Sequence, residues 1–315
     1  MGSGRTGHRR GRGKPFVSIS DWRPTGRLTT PYTLASLARQ VPAARQGLSA
    51  LRELGLGPPS LPDRGEIETM YVLGCGPSIA RVTDRQWTRI DAGFSLGVNF
   101  FGIHPFTPNI LSQERTKNMD PGLAGERRDA RLTMLRALEA ERASILWKDG
   151  SQWAIDDAAP LISATPELHH VALQWFRIVV HDQPDFSGAL AACLRIERRW
   201  DLLNRGYALH LRSSVVYGAL LGAALGVRRV VLAGVDLDTT DYFWDVDPSL
   251  IRPSTAAPPT AQTTPGRHSS ETGTVSTSTS LRSLARALER GKTTWLEILN
   301  PSSVLAPHLP AARVV

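Results

Sequence analysis

The sequence predicts an α/β fold with a mostly parallel sheet and helices on both of its faces. Short apolar runs rich in β-branched residues, such as 67–73 and 228–236, have the composition of buried strands. These runs alternate along the chain with segments of helical periodicity, which is the pattern of a parallel sheet covered by helices. With 315 residues and a hydrophobic content of 41%, the chain is large enough to bury a substantial core.

Each predicted element follows from its local pattern. Helices are expected where apolar residues recur at helical spacing, namely at 33–54, 78–90, 123–142, 186–203, 214–226 and 280–290. Strands are expected at 67–73, 94–99, 108–113, 144–147, 176–182, 228–236 and 293–299. Pro42 is expected to break the first helix and Gly291 to end the last one. Ligands of such Rossmann-like sheets bind beyond the carboxyl ends of the strands, so the site is expected at that edge.

Composition also bounds the cellular setting. Two cysteines, Cys75 and Cys193, provide no disulfide framework, which fits a reducing compartment. The first residues carry charges with no hydrophobic region after them, unlike a secretory signal, and no apolar stretch is long enough to span a bilayer. These observations predict a cytoplasmic protein.

The net charge of +8 is concentrated at the start of the chain. Arginines and lysine at positions 5, 9, 10, 12 and 14 contribute five positive charges to a stretch that contains no acid. Such a tail, like the basic cluster at 195–205, can contact an anionic membrane surface, although a solvated tail or helix face is the simpler interpretation. Peripheral membrane contact is therefore one prediction, and no nucleic acid partner is expected.

The stretch YVLGCGPSIAR at 71–81 places a glycine turn between a strand and a helix. Gly74 and Gly76 allow close backbone approaches that a side chain would block. Pro77 suits the first turn of a helix, and Ser78 adds a hydroxyl beside its free amides. A strand, a glycine turn and a helix N-terminus predict a seat for a phosphate, although many α/β proteins turn this way for packing alone.

Five segments, in order, resemble the bacterial sialyltransferases of glycosyltransferase family 42. The similar segments are LGCGPSI (73–79), GVNFF (97–101), SSVVYGALLGAALGVRRVVLAGVDLDTTDYFWD (213–245), RHSS (267–270) and ILNPSSVL (298–305). The resemblance spans about residues 67 to 309. It implies a transferase that moves a nonulosonic acid from a CMP-activated donor to a glycan hydroxyl, with inversion, without a metal and with no cofactor besides the donor. The implied partners are the CMP-sugar and a glycan acceptor, for which a lipid-linked glycan is one option.

The resemblance also implies roles for individual residues. His268 is expected to be the general base and Tyr242 to act on the leaving phosphate. The donor is expected to contact Gly74, Cys75, Gly76, Pro77, Ser78, Asn99, Ser213, Ser214 and Asp236, and the acceptor Gln113. The chain then divides into a basic flexible tail (1–31), a nucleotide-sugar-binding α/β domain (32–237), a lid segment (238–280) and a return to the α/β domain (281–315). The lid assignment also rests on composition, because 238–280 is rich in Pro, Ser and Thr and shows little periodicity.

Three departures from the family pattern bear on the donor and acceptor. Cys75 stands where the family usually has asparagine, which removes an amide. Asp238 takes the place of a tyrosine expected to hold the phosphate, and Leu211 that of an arginine expected near the acceptor.

Other functions remain open on the sequence. Asp236 and Asp238 stand two apart at a strand end, where both can hold Mg²⁺ or Mn²⁺ against a nucleotide-diphosphate sugar. A pterin pyrophosphokinase-like enzyme of the archaeal type shares a similar glycine-proline-serine turn and also needs a metal. A non-catalytic nucleotide- or glycan-binding protein is the alternative of a different class.

Overall fold

One eight-stranded sheet organises the protein. The computed structural model describes residues 29–114, 121–138, 142–180, 184–258, 271, 275–292 and 294–312. The strands are β1 (Thr69–Leu73), β2 (Phe94–Val98), β3 (Ile110–Gln113), β4 (Ser144–Lys148), β5 (His169–Arg177), β6 (Tyr207–His210), β7 (Arg229–Ala233) and β8 (Trp295–Ile298). Their order is β6-β5-β4-β3-β2-β1-β7-β8, and every neighbouring pair is parallel. The predicted Rossmann-like α/β class is confirmed.

Helices cover both faces of the sheet. They are α1 (Thr29–Glu53), α2 (Asp84–Ala92), α3 (Pro121–Arg136), α4 (Gln152–Ala164), α5 (Ser187–Trp200), α6 (Ser214–Leu225), α7 (Phe243–Val246) and α8 (Thr277–Gly291). Side chains of β1 alternate between the two layers, as a strand buried on both faces requires. Met70 and Val72 belong to the core formed with α5, α6 and α8. Tyr71 and Leu73 belong to the core formed with α2, α3, α4 and α7.

The chain order creates a crevice at the centre of the sheet. From β1 the chain proceeds outward through β2 to β6, then returns to β7 on the other side of β1. The direction of strand addition therefore reverses between β1 and β7, and ligands of open α/β sheets bind at such a switch point. All strands are parallel, so their carboxyl ends lie along one edge. This edge positions the candidate site.

Several predicted element boundaries were wrong. Pro42 lies inside α1 without breaking it, because α1 packs against β5 and α5. The turn at 74–76 opens a five-residue 3-10 helix, Pro77–Arg81, and α2 begins only at Asp84, where Thr83 and Gln86 form a capping box. The strand expected at 176–182 is β5, which begins at His169, and β6 was not predicted.

The first part of the segment 238–280 is firmly anchored. Phe243 and Trp244 are buried in α7, as their aromatic character suggested. Arg252 donates hydrogen bonds to the carbonyls of His104 and Pro105 and to the hydroxyl of Thr107. The segment as far as residue 252 is therefore tied to the loop that follows β2. The predicted boundaries of tail and lid stay predictions, since residues 1–28, 259–270 and 272–274 lie outside the described ranges.

The helices differ widely in polarity. α6 is buried along almost its whole length and contains no charged residue, whereas α1, with 25 residues, has many polar positions. Within the described ranges, no helix combines the length and the apolar character that crossing a bilayer requires.

Candidate functional site

Unusual backbone conformations mark the carboxyl edge of the sheet. Asn99 follows β2 with φ of 55°, Asp149 follows β4 with φ of 96°, and Arg212 lies two residues beyond β6 with φ of 57°. Side chains other than glycine rarely adopt positive φ, and such residues cluster at functional sites. Three of these positions occur at one edge, which identifies it as the candidate site.

Close packing explains the glycines that follow β1. Gly74 N donates to the carbonyl of Ala233 and Gly76 N to that of Gly234, both at 2.8 Å. A Cβ on Gly76 would lie 2.6 Å from Asp236 Oδ2 and 2.8 Å from the carbonyl oxygen of Gly234. Residues 74–78 form what we call the glycine turn. Its two glycines are required because a side chain at either position would prevent the turn from packing against the end of β7.

The glycine turn binds a carboxylate of the protein itself. Asp236 is buried, and its Oδ2 accepts a hydrogen bond from the backbone N–H of Ser78 at 2.7 Å. Its Oδ1 accepts from the Asn300 side-chain amide at 2.8 Å. The phosphate seat expected at the Ser78 amide is thus already filled in this structure. The five-residue 3-10 helix behind it also supplies fewer aligned peptide dipoles than the helix expected from the sequence.

The same geometry bears on the metal-dependent alternative. Both oxygens of Asp236 accept from N–H donors, while Asp238 is exposed. The two carboxylates therefore do not form a shared ligand pair in this conformation. Among the residues that the structure describes, no group of three or more His, Cys, Asp or Glu side chains is placed to hold a metal ion.

Cys75 lies between the glycine turn and the loop after β2. Its thiol is 3.5 Å from the carbonyl oxygen of Val98, and burial raises its pKa to about 12, so it is a neutral thiol at physiological pH. The Cys75 carbonyl accepts from the N–H of Phe243 at 2.9 Å, which fixes the start of α7 over the turn. Tyr242 stacks on Trp244 at a ring distance of 4.5 Å. Cys75 and Tyr242 are thereby brought to one place.

Residues from β2, β3 and α6 also converge. Gln113 Nε2 donates to the backbone carbonyl of Asn99 at 2.9 Å, and the Ser214 hydroxyl is 3.5 Å from Asn99 Oδ1. Ser213 forms the N-cap of α6, accepting from Val216 N at 3.5 Å. Gln113 is only 1% exposed and in this conformation supports the strained Asn99.

A buried ionic network, which the sequence did not predict, adjoins Asn99. The Ser214 hydroxyl donates to Glu114 Oε2 at 2.5 Å and accepts from Lys148 Nζ at 2.9 Å. The Lys148 ammonium is 3.5 Å from the same carboxylate, is fully buried, and lies 4.9 Å from the ring centroid of Tyr217. We call Asn99, Glu114, Lys148 and Ser214 the lysine cluster. It fixes the Ser214 hydroxyl between two opposite charges.

The sequence contained a partial signal for the lysine cluster. Lys148 ends the apolar run SILWK, and Glu114 follows ILSQ, so each places a charge where a buried strand stops. Carboxyl ends of parallel strands meet at one edge, so such charges are candidates for a common site. They lie 34 positions apart and only the order of the strands shows that β3 and β4 are neighbours.

Other conspicuous residues have structural roles or lie elsewhere. Cys193 is fully buried in α5, as expected for a core residue. His169 contacts the Ser144 hydroxyl, and His170 contacts Thr165 and Trp147, so the two histidines have separate partners. His268, the predicted base, lies outside the described residues.

Comparison with known proteins gives only distant likenesses. No protein-family model matches the sequence, and no curated protein is similar to it. Among solved structures, the sialyltransferase CstII from Campylobacter jejuni with CMP-3FNeuAc is 15% identical with a TM-score of 0.37, covering 78% of this chain and 85% of that one. The monofunctional alpha-2,3-sialyltransferase Cst-I from Campylobacter jejuni is 13% identical with a TM-score of 0.42, covering 82% and 85%. The MAf glycosyltransferase from Magnetospirillum magneticum AMB-1 is 14% identical with a TM-score of 0.36, covering 78% and 33%.

With TM-scores below 0.5, these likenesses carry no weight for function.

Proposed function

We propose that this protein is a sialyltransferase-like glycosyltransferase that moves a nonulosonic acid from a CMP-activated donor to a glycan hydroxyl. One observation carries the proposal. The motifs that resemble the family are far apart in sequence, yet Ser214 lies 3.5 Å from Asn99, and Cys75 lies 3.5 Å from Val98, the residue before Asn99. Three separate motifs thus meet at the carboxyl edge of a parallel sheet, where ligands of this architecture bind.

The chemistry of such a transfer matches the groups present. Cleavage of the glycosidic phosphate bond passes through a transition state close to an oxocarbenium ion, and negative charge develops on the departing phosphate. Hydrogen-bond donors that stabilise this charge must be in place before the phosphate leaves, and the phenol of Tyr242 is one candidate. The amide of Asn99 can contact the base or the sugar, and its backbone is held by Gln113. The Ser214 hydroxyl is oriented by Lys148 and Glu114 and provides a fixed polar contact for the CMP-sugar.

The acceptor hydroxyl requires a base, and we assign this role to His268. Imidazole titrates close to neutral pH, where it can accept the proton of an attacking hydroxyl. Attack on the face opposite to the leaving CMP gives inversion. The reaction as proposed requires no metal, since hydrogen-bond donors of the protein stabilise the charge on the leaving phosphate.

Ligand titration tests the proposed donor class. CMP, UDP and ATP are titrated by calorimetry, each with and without Mg²⁺. We expect CMP to bind most tightly, with an affinity independent of Mg²⁺. Preference for UDP or ATP together with dependence on Mg²⁺ would instead support a metal-dependent transferase or a pyrophosphokinase. Turnover of CMP-sugars with a panel of soluble and lipid-linked glycans then separates an enzyme from a binding protein.

Substitution of the proposed base tests the mechanism. His268→Ala should retain CMP binding while transfer falls by about two to four orders of magnitude, the usual range for a lost general base. The matched control is His308→Ala, because His308 is an exposed histidine near the carboxyl terminus. Transfer by His268→Ala at the rate of the control would remove His268 from the mechanism.

A further inference from the structure

Arg127 extends from α3 toward residues of the candidate site. Its guanidinium lies over the ring of Phe100, 5.0 Å from the centroid, and Phe100 directly follows the strained Asn99. Burial lowers the pKa of Arg127, and Tyr242 and Cys75 are near enough to act on it in the opposite direction. Arg127 therefore packs on the residue that follows Asn99 and lies within electrostatic range of Tyr242 and Cys75, although nothing in its sequence context (ERRDAR) distinguishes it from its neighbours.

A second arginine of α3, Arg131, has a guanidinium whose charge is compensated within the protein. Arg131 is buried, lies 3.4 Å from the Asp157 carboxylate and donates to the Glu114 carbonyl at 2.9 Å. Its guanidinium also lies near Phe100, at 5.8 Å from the ring centroid. Its charge is compensated by Asp157, so its role in holding α3 on the sheet is complete without a ligand.

Arg127 has no such compensation in the part of the chain that the structure describes. No carboxylate lies within 4 Å of its guanidinium there, which distinguishes it from Arg131, and its Nε, like that of Arg131, is buried without a hydrogen-bond partner. Moving a charge and a polar N–H out of water is unfavourable unless a partner satisfies them. A half-buried positive charge over Phe100, without a carboxylate partner in the described residues, is a position where a bound anion can complete the pairing.

We propose that Arg127 binds the phosphate of the donor nucleotide, together with the phenol of Tyr242. This inference rests on the proposed function for the identity of the nucleotide. A guanidinium is suited to the task, because its planar array of donors matches phosphate oxygens and its face packs on an aromatic ring. It also supplies hydrogen-bond donors for the phosphate, which the glycine turn does not, because the Ser78 amide already donates to Asp236. Arg127 is then the residue that neutralises the charge developing on CMP as it departs.

The test compares ligands that differ only in the phosphate. Cytidine, CMP, UMP and AMP are titrated by calorimetry against the full chain and the variant Arg127→Gln. The matched control is Arg128→Gln, because Arg128 is the next residue of α3 and is exposed. Stabilisation by inorganic phosphate is measured alongside by thermal unfolding, with chloride at equal ionic strength as the reference. Arg127→Lys, which keeps the charge, provides a second variant should Arg127→Gln fold poorly.

We expect the wild-type protein and Arg128→Gln to bind CMP about tenfold to a hundredfold more tightly than cytidine, the usual contribution of charge-assisted hydrogen bonds. Arg127→Gln should lose this preference and its stabilisation by phosphate while its affinity for cytidine is unchanged, and Arg127→Lys should fall between. A preference for CMP that persists in Arg127→Gln overturns the inference, as does a wild-type protein that responds to neither phosphate nor nucleotide.

The two proposals fail separately. If UMP or AMP binds as well as CMP but all depend on Arg127, the phosphate assignment stands and the cytidine donor is wrong. If CMP is preferred over the other nucleotides without any role of Arg127, the proposed function stands and the assignment of Arg127 is wrong.

Discussion

The two sides of the carboxyl edge satisfy their polar groups differently. After β1 and β7, the protein completes its own pairing: Asp236 accepts from Ser78 and Asn300, and the glycine turn donates to carbonyls at the end of β7. The lysine cluster lies at the carboxyl ends of β2, β3 and β4 and at the N-terminus of α6. There an ammonium, a carboxylate and a hydroxyl bind one another beside the strained Asn99.

The motif that is most conspicuous in the sequence is therefore not the part of the site that we propose to bind the ligand. The glycine turn is easy to find in the sequence, yet its glycines and the Ser78 amide serve to dock the end of β1 against the end of β7. The charged groups that act on a ligand by our proposal, Arg127 and the lysine cluster, belong to the other side of the edge. A glycine turn after the first strand is therefore evidence for the architecture of the crevice, while the ligand is recognised by its neighbours.

Removal of Lys148 should have the largest effect on stability. Lys148→Met leaves the Glu114 carboxylate without its ammonium, and breaking a buried ion pair from one side costs about 3 to 5 kcal/mol. We expect the lower end of this range, about 3 kcal/mol, because the Glu114 side chain is 25% exposed. The free energy of unfolding in urea gives the measurement.

A second substitution and a surface pair control this prediction. The double variant Lys148→Met/Glu114→Gln should recover part of the loss, since the carboxylate charge is removed together with the ammonium. Arg228→Met breaks the surface ion pair between Arg228 and Glu68, whose side chains are 75% and 72% exposed. This variant should leave the free energy of unfolding nearly unchanged. If Lys148→Met behaves like Arg228→Met, the lysine cluster contributes nothing to the fold.

Gly76→Ala tests the other side of the edge. The new Cβ would lie 2.6 Å from Asp236 Oδ2 and 2.8 Å from a backbone oxygen, so the turn must shift and its bond to Asp236 must weaken. Forced overpacking of this kind costs about 2 kcal/mol. Urea unfolding of Gly76→Ala is compared with that of Gly57→Ala, since a Cβ on Gly57 meets nothing within 4 Å. Equal stability of the two variants would show that the glycine turn is not held by this packing.

The sequence predicted the fold class better than the site. Apolar runs such as VVLAG at 230–234 are buried on both sides, so composition alone identifies them as parallel strands. The short strand β6 was missed because its four residues, YALH, carry little periodicity. Pro42 was overvalued as a helix breaker, since local propensity is outweighed by tertiary packing.

Pairing across the sheet accounts for the site residues that were missed. Asn99, Ser214 and Asp236 were recognised from motifs, but what each contacts depends on strand order. Asp236 binds the Ser78 amide because β7 is the neighbour of β1, and Lys148 reaches Ser214 over a separation of 66 residues. No local pattern encodes either contact.

His104, which packs among aromatic side chains next to α7, gives the smallest expected effect, a dependence of stability on pH. His104 is buried against Trp87 and Phe243, and its Nδ1 accepts from Phe106 N at 3.0 Å. Burial, with a further contribution from Arg252, lowers the pKa of His104 from 6.5 to about 4. As the pH falls below 6.5, the unfolded chain takes up a proton that the folded chain does not. The stability that His104 contributes is therefore present above pH 6.5 and is lost as the pH falls toward 4, by about 1 kcal/mol between roughly pH 7.5 and pH 6.

His104→Asn isolates this contribution, because the asparagine Oδ1 can still accept from Phe106 N but does not titrate. The variant is expected to be less stable at every pH, since it loses ring packing, so the slope of stability against pH is the readout. We expect the slope between about pH 7.5 and pH 6 to decrease in His104→Asn and to stay unchanged in His308→Asn, whose histidine is exposed. An equal slope in wild type and His104→Asn would mean that His104 takes up its proton equally in the folded and unfolded chains, so that burial does not lower its pKa.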